Sequence, residues 1–362
     1  MIRILYICTV PIGNNGITNV IFNYIENIDS TRFHIDILGI NNPEKIYIDR
    51  LKATNGKFYC CTYREKNPIK YICYLNKIVR DYKIVHVHGN SGTMAIDLLG
   101  ALLGGCKIRI AHSHNSNCVY KKVHYLLKPF VDLLSTERFA CSEEAGRWVY
   151  KKKFKILINA FKLDKFVFTE EQRNSTRKNL GIKKNEILLG HVGLFNEQKN
   201  QDFLIKVLKS CLENNMSVKL CLVGKGEYEE RIRKKCSELD IENKVIFYGE
   251  TNNVQNVLSA MDIFLFPSLF EGLGIALIEA QIMGLPCIAS EYVPRITNLN
   301  GITKYMSIDD DSIYDWVREI GCCREKIENR LWLIRRVNRS NYNIDFQIKR
   351  VQELYQKLVE IT

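Results

Sequence analysis

The stretch Ile263-Phe264-Leu265-Phe266-Pro267-Ser268-Leu269-Phe270-Glu271-Gly272-Leu273-Gly274-Ile275-Ala276-Leu277-Ile278-Glu279-Ala280 decides the fold class. Residues 263–267 are an apolar run of strand length. Gly272 and Gly274 supply a loop, and apolar residues at 275, 278 and 282 then recur at helical spacing. Strand, glycine loop and helix together make half of a βαβ unit, which belongs in a parallel sheet. Such sheets bind ligands beyond the carboxyl ends of their strands, so the loop 267–274 is also where chemistry is to be sought.

The same pattern extends in both directions. Apolar runs of strand length occur at 3–9, 33–38, 84–88, 108–112 and 138–141, and again at 187–192, 219–223, 244–248 and 286–289. Amphipathic segments of helical length lie between them, at 19–28, 69–80, 201–214, 227–239 and 254–260. Near-continuous apolar strands alternating with helices predict parallel sheets covered on both faces. The pattern restarts after about residue 165, and the polar stretch 169–185 reads as a boundary. The expectation is an α/β chain of two doubly wound, Rossmann-like domains facing a cleft. The first is 1–165 and the second 166–344, with a helix at about 345–362 packing back on the first.

Composition agrees with this. The chain has 362 residues, 46% hydrophobic and 25% charged, which excludes a disordered or collagen-like chain and leaves room for two cores. Residues 1–165 hold 25 basic and 13 acidic side chains, and the remainder 27 of each, so the whole net charge of +12 lies in the first half. A basic half suits an anionic partner. It lacks a basic–aromatic stacking platform, so nucleic acid is not expected. The 13 cysteines are scattered through apolar runs without metal spacing, and Met1 leads straight into a strand-like run. Free thiols, no leader and a cytoplasmic location are the expectation. The most apolar stretch, 98–106, is too short to span a bilayer.

Several motifs sit at expected strand ends. The loop 11–19 carries Gly16 where a helix opens, and a helix N-terminus offers amides to an anion. His86 and His88 end one strand, and His112 and His114 end another. Four histidines at strand ends favour a site lining, while no carboxylate or cysteine completes a zinc site, so no metal is expected. In His191-Val192-Gly193-Leu194-Phe195-Asn196-Glu197-Gln198-Lys199-Asn200, a strand ends, Gly193 turns the chain, and Lys199 stands ahead of a helix, as a diphosphate would require. Glu271 and Glu279 lie eight residues apart, about 12 Å of helical rise, with the amides of Leu273, Gly274 and Ile275 between. That span fits a nucleotide-sugar. Glu279 in the apolar frame of Ile275, Ile278 and Ile282 has no structural reason to be charged. Asp309-Asp310-Asp311 precedes a helix-like run and reads as its acidic N-terminus rather than a metal motif.

Together these residues resemble glycosyltransferase family 4, retaining nucleotide-sugar transferases of the GT-B architecture, including bacterial capsule and exopolysaccharide enzymes. The resemblance covers about residues 1–305 and is most specific in the Glu271–Glu279 stretch. It implies an acceptor-binding first domain and a donor-binding second domain. Glu279 would hold the ribose hydroxyls and Glu271 the donor sugar. Lys199 would neutralise the diphosphate, helped by Gly16, Gly193 and the amides of residues 273–275. His112 would lie near the reacting sugar, with His114 as a second candidate. No cofactor or metal is implied. The substrates would be a nucleotide-sugar, expected to be a UDP-sugar, and a glycan or polyprenyl-diphosphate-linked acceptor in surface polysaccharide biosynthesis.

Two departures keep a second function open. Leu194 stands where the family usually has arginine, with Lys225 as the candidate substitute, and 158–161 keeps only Asn159 of the family's Pro-Asn-Gly. The alternative is a catalytically weak homologue that binds nucleotide-sugar or assembles a complex. A further expectation concerns Lys121, Lys122, Lys128, Arg147, Lys151, Lys152, Lys153 and Lys155, which surround Val123, Tyr125, Leu126, Leu127 and Phe130. A basic rim around an apolar ridge suits peripheral docking on the anionic inner face of the plasma membrane.

Overall fold

Strands that are apolar on both sides can be buried only if helices cover both faces of their sheet, and the chain does this twice. The computed structural model describes residues 1–160, 162–323, 329–337 and 342–361. The first sheet contains β1 (Ile2–Cys8), β2 (Phe33–Gly39), β3 (Phe58–Cys60), β4 (Ile84–Gly89), β5 (Ile108–Ser113), β6 (Glu137–Ala140) and β7 (Lys155–Ile156). All are parallel, in the order β3-β2-β1-β4-β5-β6-β7. The second contains β8 (Ile187–Val192), β9 (Val218–Val223), β10 (Val245–Gly249), β11 (Ile263–Phe266), β12 (Cys287–Ser290) and β13 (Lys304–Met306), parallel in the order β10-β9-β8-β11-β12-β13. The strand order reverses between β1 and β4 and between β8 and β11. Those two switch points are where an open α/β sheet leaves a crevice.

The chain forms two compact units, Met1–Lys162 with Asn341–Thr362, and Leu163–Ser340. In the first, the last helix (Ile344–Ile361) lies against the sheet's own elements. Gln352 accepts a hydrogen bond from the Asp29 amide at 2.7 Å, and the Tyr355 ring packs near Phe33. Residue 362, the end of the expected helix, and Phe161 of the 158–161 stretch lie outside the described residues. In the second unit, one cluster of buried side chains gathers around Leu204, Leu208, Leu220 and Trp316, and another around Leu258, Phe264, Leu277 and Ala280.

Three strands escape the sequence pattern. β3, β7 and β13 have two or three residues each and sit at sheet edges, where there is no continuous apolar run to detect. The polar stretch at 169–185 is not a linker but begins with a helix, Glu170–Asn179, capped by the Thr169 side chain. That helix is anchored to the second unit by charge. Arg173 and Arg177 bind the two carboxylate oxygens of Asp262 at 2.5 and 2.8 Å, and Asp262 also accepts from the Leu188 amide at 2.7 Å. Asp309-Asp310-Asp311 does lead into a helix (Ile313–Cys322). There Asp310 pairs with Lys206, and Asp309 accepts from Ser307 instead of capping.

Removing Asp262 leaves two guanidinium groups without their carboxylate, held only by backbone carbonyls, and the Leu188 amide without its acceptor. Asp262→Ala is expected to lower stability by about 3–5 kcal/mol, the usual cost of breaking a buried pair from one side. Urea unfolding of the full chain measures this, and a shift of only a few tenths of a kcal/mol would remove the anchor role.

Candidate functional site

In the second unit, the loops after β8 and β11 meet at the switch point and are joined by hydrogen bonds. The Leu269 amide donates to the Gln198 carbonyl at 2.9 Å, Gln198 Nε2 to the Phe270 carbonyl at 3.0 Å, and Asn200 Nδ2 to the Pro267 carbonyl at 3.3 Å. Glycine is required at two places in this junction. A Cβ on Gly224, which has φ 132°, would lie 2.1 Å from the Gly193 carbonyl oxygen, and a Cβ on Gly193 would press on His191 and on the Lys199 stem. The close approach lets Lys199 cross over the turn. Its own turn, Glu197–Lys199, is set by Asn196, whose side chain accepts from the Lys199 amide, and by Asn200 in the left-handed conformation at φ 52°.

These constraints bring Lys199 and Glu271 together. Their Nζ and Oε1 atoms are 2.5 Å apart, and the ammonium also lies 4.8 Å from the centre of the Phe266 ring. Gly274 begins the following helix (Ile275–Ile282) at φ 83°, held against Phe266. The amides of Leu273, Gly274 and Ile275 have no acceptor among the described residues. Glu279, in the second turn, is half-buried, and burial pushes its carboxyl up to about 7. It has no hydrogen-bond or ion-pair partner among the described residues. The unit thus presents one cation, a row of open amides and one unpaired carboxylate in sequence. That array can receive a polyanion at its centre and hydroxyl groups at its end.

The two second-rank residues of this unit stand differently. Leu194 is exposed, and its carbonyl accepts from Gln201 Nε2 at 2.9 Å. Lys225 is also exposed, with Nζ 3.7 Å from the Glu250 carboxylate. His191 lies buried beneath Gly193, its Nδ1 at 2.9 Å from the Leu265 carbonyl oxygen.

In the first unit, Gly16 opens the helix Gly16–Asn27, whose cap is Asn15 bonded to the Thr18 amide at 3.0 Å. The four histidines form one stacked array across β4 and β5. The sheet register sets His88 beside His112, and ring centroids of successive members lie 4.0–5.3 Å apart. His86 Nε2 is 3.2 Å from His112 Nδ1, and His88 Nδ1 is 3.0 Å from His114 Nε2. Burial, followed by mutual repulsion, holds His86, His88 and His112 well below the usual imidazole range, and burial, only partly offset by Asn159, puts His114 at about 3. All four are therefore neutral. His112 is completely buried, whereas His114, just past the strand end, retains 7% exposure. Of the two candidates, His114 lies nearer solvent.

His86, His88 and His112 can present nitrogens within 4.8 Å of one another, close enough for one metal ion. Both His86 nitrogens are already engaged, however, Nε2 with His112 and Nδ1 with the Tyr355 hydroxyl at 2.7 Å. A metal ion would have to displace one of these bonds. Tyr355 comes from the last helix, and no spacing in the sequence marks it as part of the array. The roles of Gln198 and Asn200 in joining the two loops are equally silent, because they depend on a partner loop some seventy residues away.

Residues 172–306 match the family described as Glycosyl transferases group 1. EpsF of Bacillus subtilis (strain 168), a glycosyltransferase by name, is 26% identical over 310 residues, covering 80% of this chain and 79% of the relative. A UDP-Gal:alpha-D-GlcNAc-diphosphoundecaprenol alpha-1,3-galactosyltransferase of Escherichia coli is 25% identical over 93% of this chain and 95% of the relative. The fold is that of Anabaena HepE, solved with UDP-glucose, at a TM-score of 0.83 and 13% identity over 99% of this chain and 100% of that one. Two parallel sheets with their loops at the switch points, a matched family domain and relatives named for glycosyl transfer together identify the chain as a glycosyltransferase of the GT-B architecture, its second unit built on a group 1 glycosyl transferase domain.

Proposed function

We propose that the chain moves a sugar from a UDP-sugar to a glycan or polyprenyl-diphosphate-linked acceptor, with retention at the anomeric carbon, in surface polysaccharide synthesis. The observation that carries this reading is the row Lys199, open amides of residues 273–275, and unpaired Glu279 at the second unit's switch point. The diphosphate takes Lys199 away from Glu271, which turns to the sugar hydroxyls, while Glu279 accepts from the ribose. Lys199 and the amides, rather than a metal ion, neutralise the leaving group. The uridine donor is supported by the HepE complexes, and the lipid-linked acceptor by the Escherichia coli relative. The strand ends of the first unit, with His112 and His114, receive the acceptor. The leaving phosphate helps to take the acceptor proton.

Membrane docking belongs to the same reading. On the helix Lys121–Leu134, Leu126 and Leu133 are each 71% exposed, and Val123, Tyr125 and Phe130 are also exposed, while His124, Val131 and Leu134 face inward. The ridge is therefore not consumed by packing, and no helix among the described residues is long and apolar enough to cross a membrane. Lys128 leaves the expected rim, because its Nζ donates to the Trp148 carbonyl at 2.6 Å. Lys155 is paired with Glu137 and Lys152 leans on the Asp132 carbonyl, so Lys121, Lys122, Arg147, Lys151 and Lys153 form the part of the rim that can meet lipid. All thirteen cysteines are thiols, in keeping with work on the cytoplasmic side.

Ribose hydroxyls donating to Glu279 favour its ionised form. UDP-glucose affinity, measured by calorimetry, is therefore expected to strengthen as pH rises from 6 through 7 to 8, up to about tenfold per pH unit below the raised carboxyl. Glu279→Gln should weaken binding and flatten the profile. A flat profile in the native chain would take Glu279 off the ribose. Leu194→Arg restores a cation beside the diphosphate, and kcat should stay level or rise by about ten- to a hundredfold, the worth of one charge-assisted contact. A severe loss in a folded, donor-saturated variant would show a pocket rebuilt around leucine.

Vesicle co-sedimentation tests the membrane arm. Binding should rise with anionic lipid and fall with salt, and reversal of Lys121, Lys122, Lys151 and Lys153 to Glu should remove it, at about 1 kcal/mol per near-surface charge. Salt-independent binding would favour a soluble acceptor.

A further inference from the structure

Tyr6 of β1, Tyr355 of the last helix, His86 of β4 and His112 of β5 form an unbroken buried hydrogen-bond chain. The two hydroxyls are 2.8 Å apart, Tyr355 is 2.7 Å from His86 Nδ1, and His86 Nε2 is 3.2 Å from His112 Nδ1. All four side chains are at most 1% exposed. Burial raises both phenols, and it lowers both imidazoles, so every member is neutral and only the placement of protons is in question. Each member has one proton to give, which leaves two arrangements, one for each direction of the chain.

Each direction leaves one buried donor without a partner, so the ends do not separate them. If the chain runs from His112 toward Tyr6, the Tyr6 proton is stranded, because that hydroxyl meets no acceptor other than Tyr355 among the described residues. If the chain runs from Tyr6, Tyr6 donates to Tyr355, Tyr355 to His86 Nδ1, and His86 Nε2–H to His112 Nδ1. The remaining proton then sits on His112 Nε2, which has no partner in hydrogen-bond geometry. The inner bond between Tyr355 and His86 decides. A phenol is the stronger donor and an imidazole nitrogen the stronger acceptor, so Tyr355 donates to His86 Nδ1 and the chain runs from Tyr6.

We propose that Tyr355, 269 residues from His86 in sequence, is a positioning residue of the transferase that fixes His112 as the Nε2–H tautomer. The consequence is chemical. The ring offers a hydrogen-bond donor and not a base, so the acceptor's proton leaves by another group. The last helix thereby sets the proton arrangement behind His114, whose ring lies 4.0 Å from that of His112. This inference rests on the reading that the strand ends of the first unit receive the acceptor.

Nitrogen-15 NMR of histidine-labelled full-length protein tests it without substrate. The His112 signals, assigned by their loss in His112→Asn, should show a protonated Nε2 and a bare Nδ1. Tyr355→Phe should convert this single tautomer to a mixture and lower kcat several-fold with the donor KM unchanged. Tyr6→Phe should keep the tautomer, since Tyr355 can still donate to His86. A proton on Nδ1 of His112 in the native chain overturns the proposal, and that measurement needs no variant to fold. So does a tautomer untouched by Tyr355→Phe. A changed tautomer with unchanged kcat overturns Tyr355 as a positioning residue and with it the acceptor reading, leaving the donor site of the second unit unaffected.

Discussion

A parallel strand covered on both faces carries apolar side chains up and down, and the first polar or flexible residues it tolerates come where it leaves the sheet. Both units of this chain obey that constraint, and their chemistry follows from it. β8 leaves at Val192 and releases Gly193 and Lys199, while β11 leaves at Phe266 and releases Glu271, Gly272 and Gly274. These two strands are neighbours in the sheet although some seventy residues separate them, so both loops open at one place. The glycines permit the close approach, and Lys199 and Glu271 meet because the backbone bonds around Gln198 and Asn200 leave them facing each other.

The first unit meets the same constraint differently. His86, His88 and His112 lie within their strands, inside the buried region and not beyond it. Charged imidazoles there would be very costly, and burial keeps them neutral. Neutral rings still seek hydrogen-bond partners, which these find in one another and in the Tyr355 hydroxyl, itself bonded to Tyr6. A buried polar network of this kind rigidifies what it joins. Here it ties the chain's last helix to the middle of its first sheet.

Electrostatics divides the chain in a comparable way. In the second unit basic and acidic residues balance, and several of the buried ones are paired, as in Arg173 and Arg177 with Asp262, while Arg330 is held by backbone carbonyls. Glu279 differs from these, a carboxylate pushed up to about 7 by burial and without a partner among the described residues. In the first unit, much of the basic excess lies near an apolar ridge on the surface. Several of those lysines turn out to be occupied by carbonyls or carboxylates.

The sequence by itself determined the long strands, the two-unit plan and the loops that carry Lys199, Glu271 and Glu279. Hydrophobic runs and glycines report directly on burial and on close backbone approach. It could not show β3, β7 and β13, whose two or three edge residues leave no periodicity, nor the helix Glu170–Asn179, whose polar surface is explained only by an aspartate ninety residues away. It ranked His112 above His114, whereas the register of β4 against β5 buries the first and leaves the second nearer solvent. Tyr355 was invisible for the same reason. A contact between a last helix and a fourth strand is decided by packing across the whole unit, and local propensity and spacing carry no record of it.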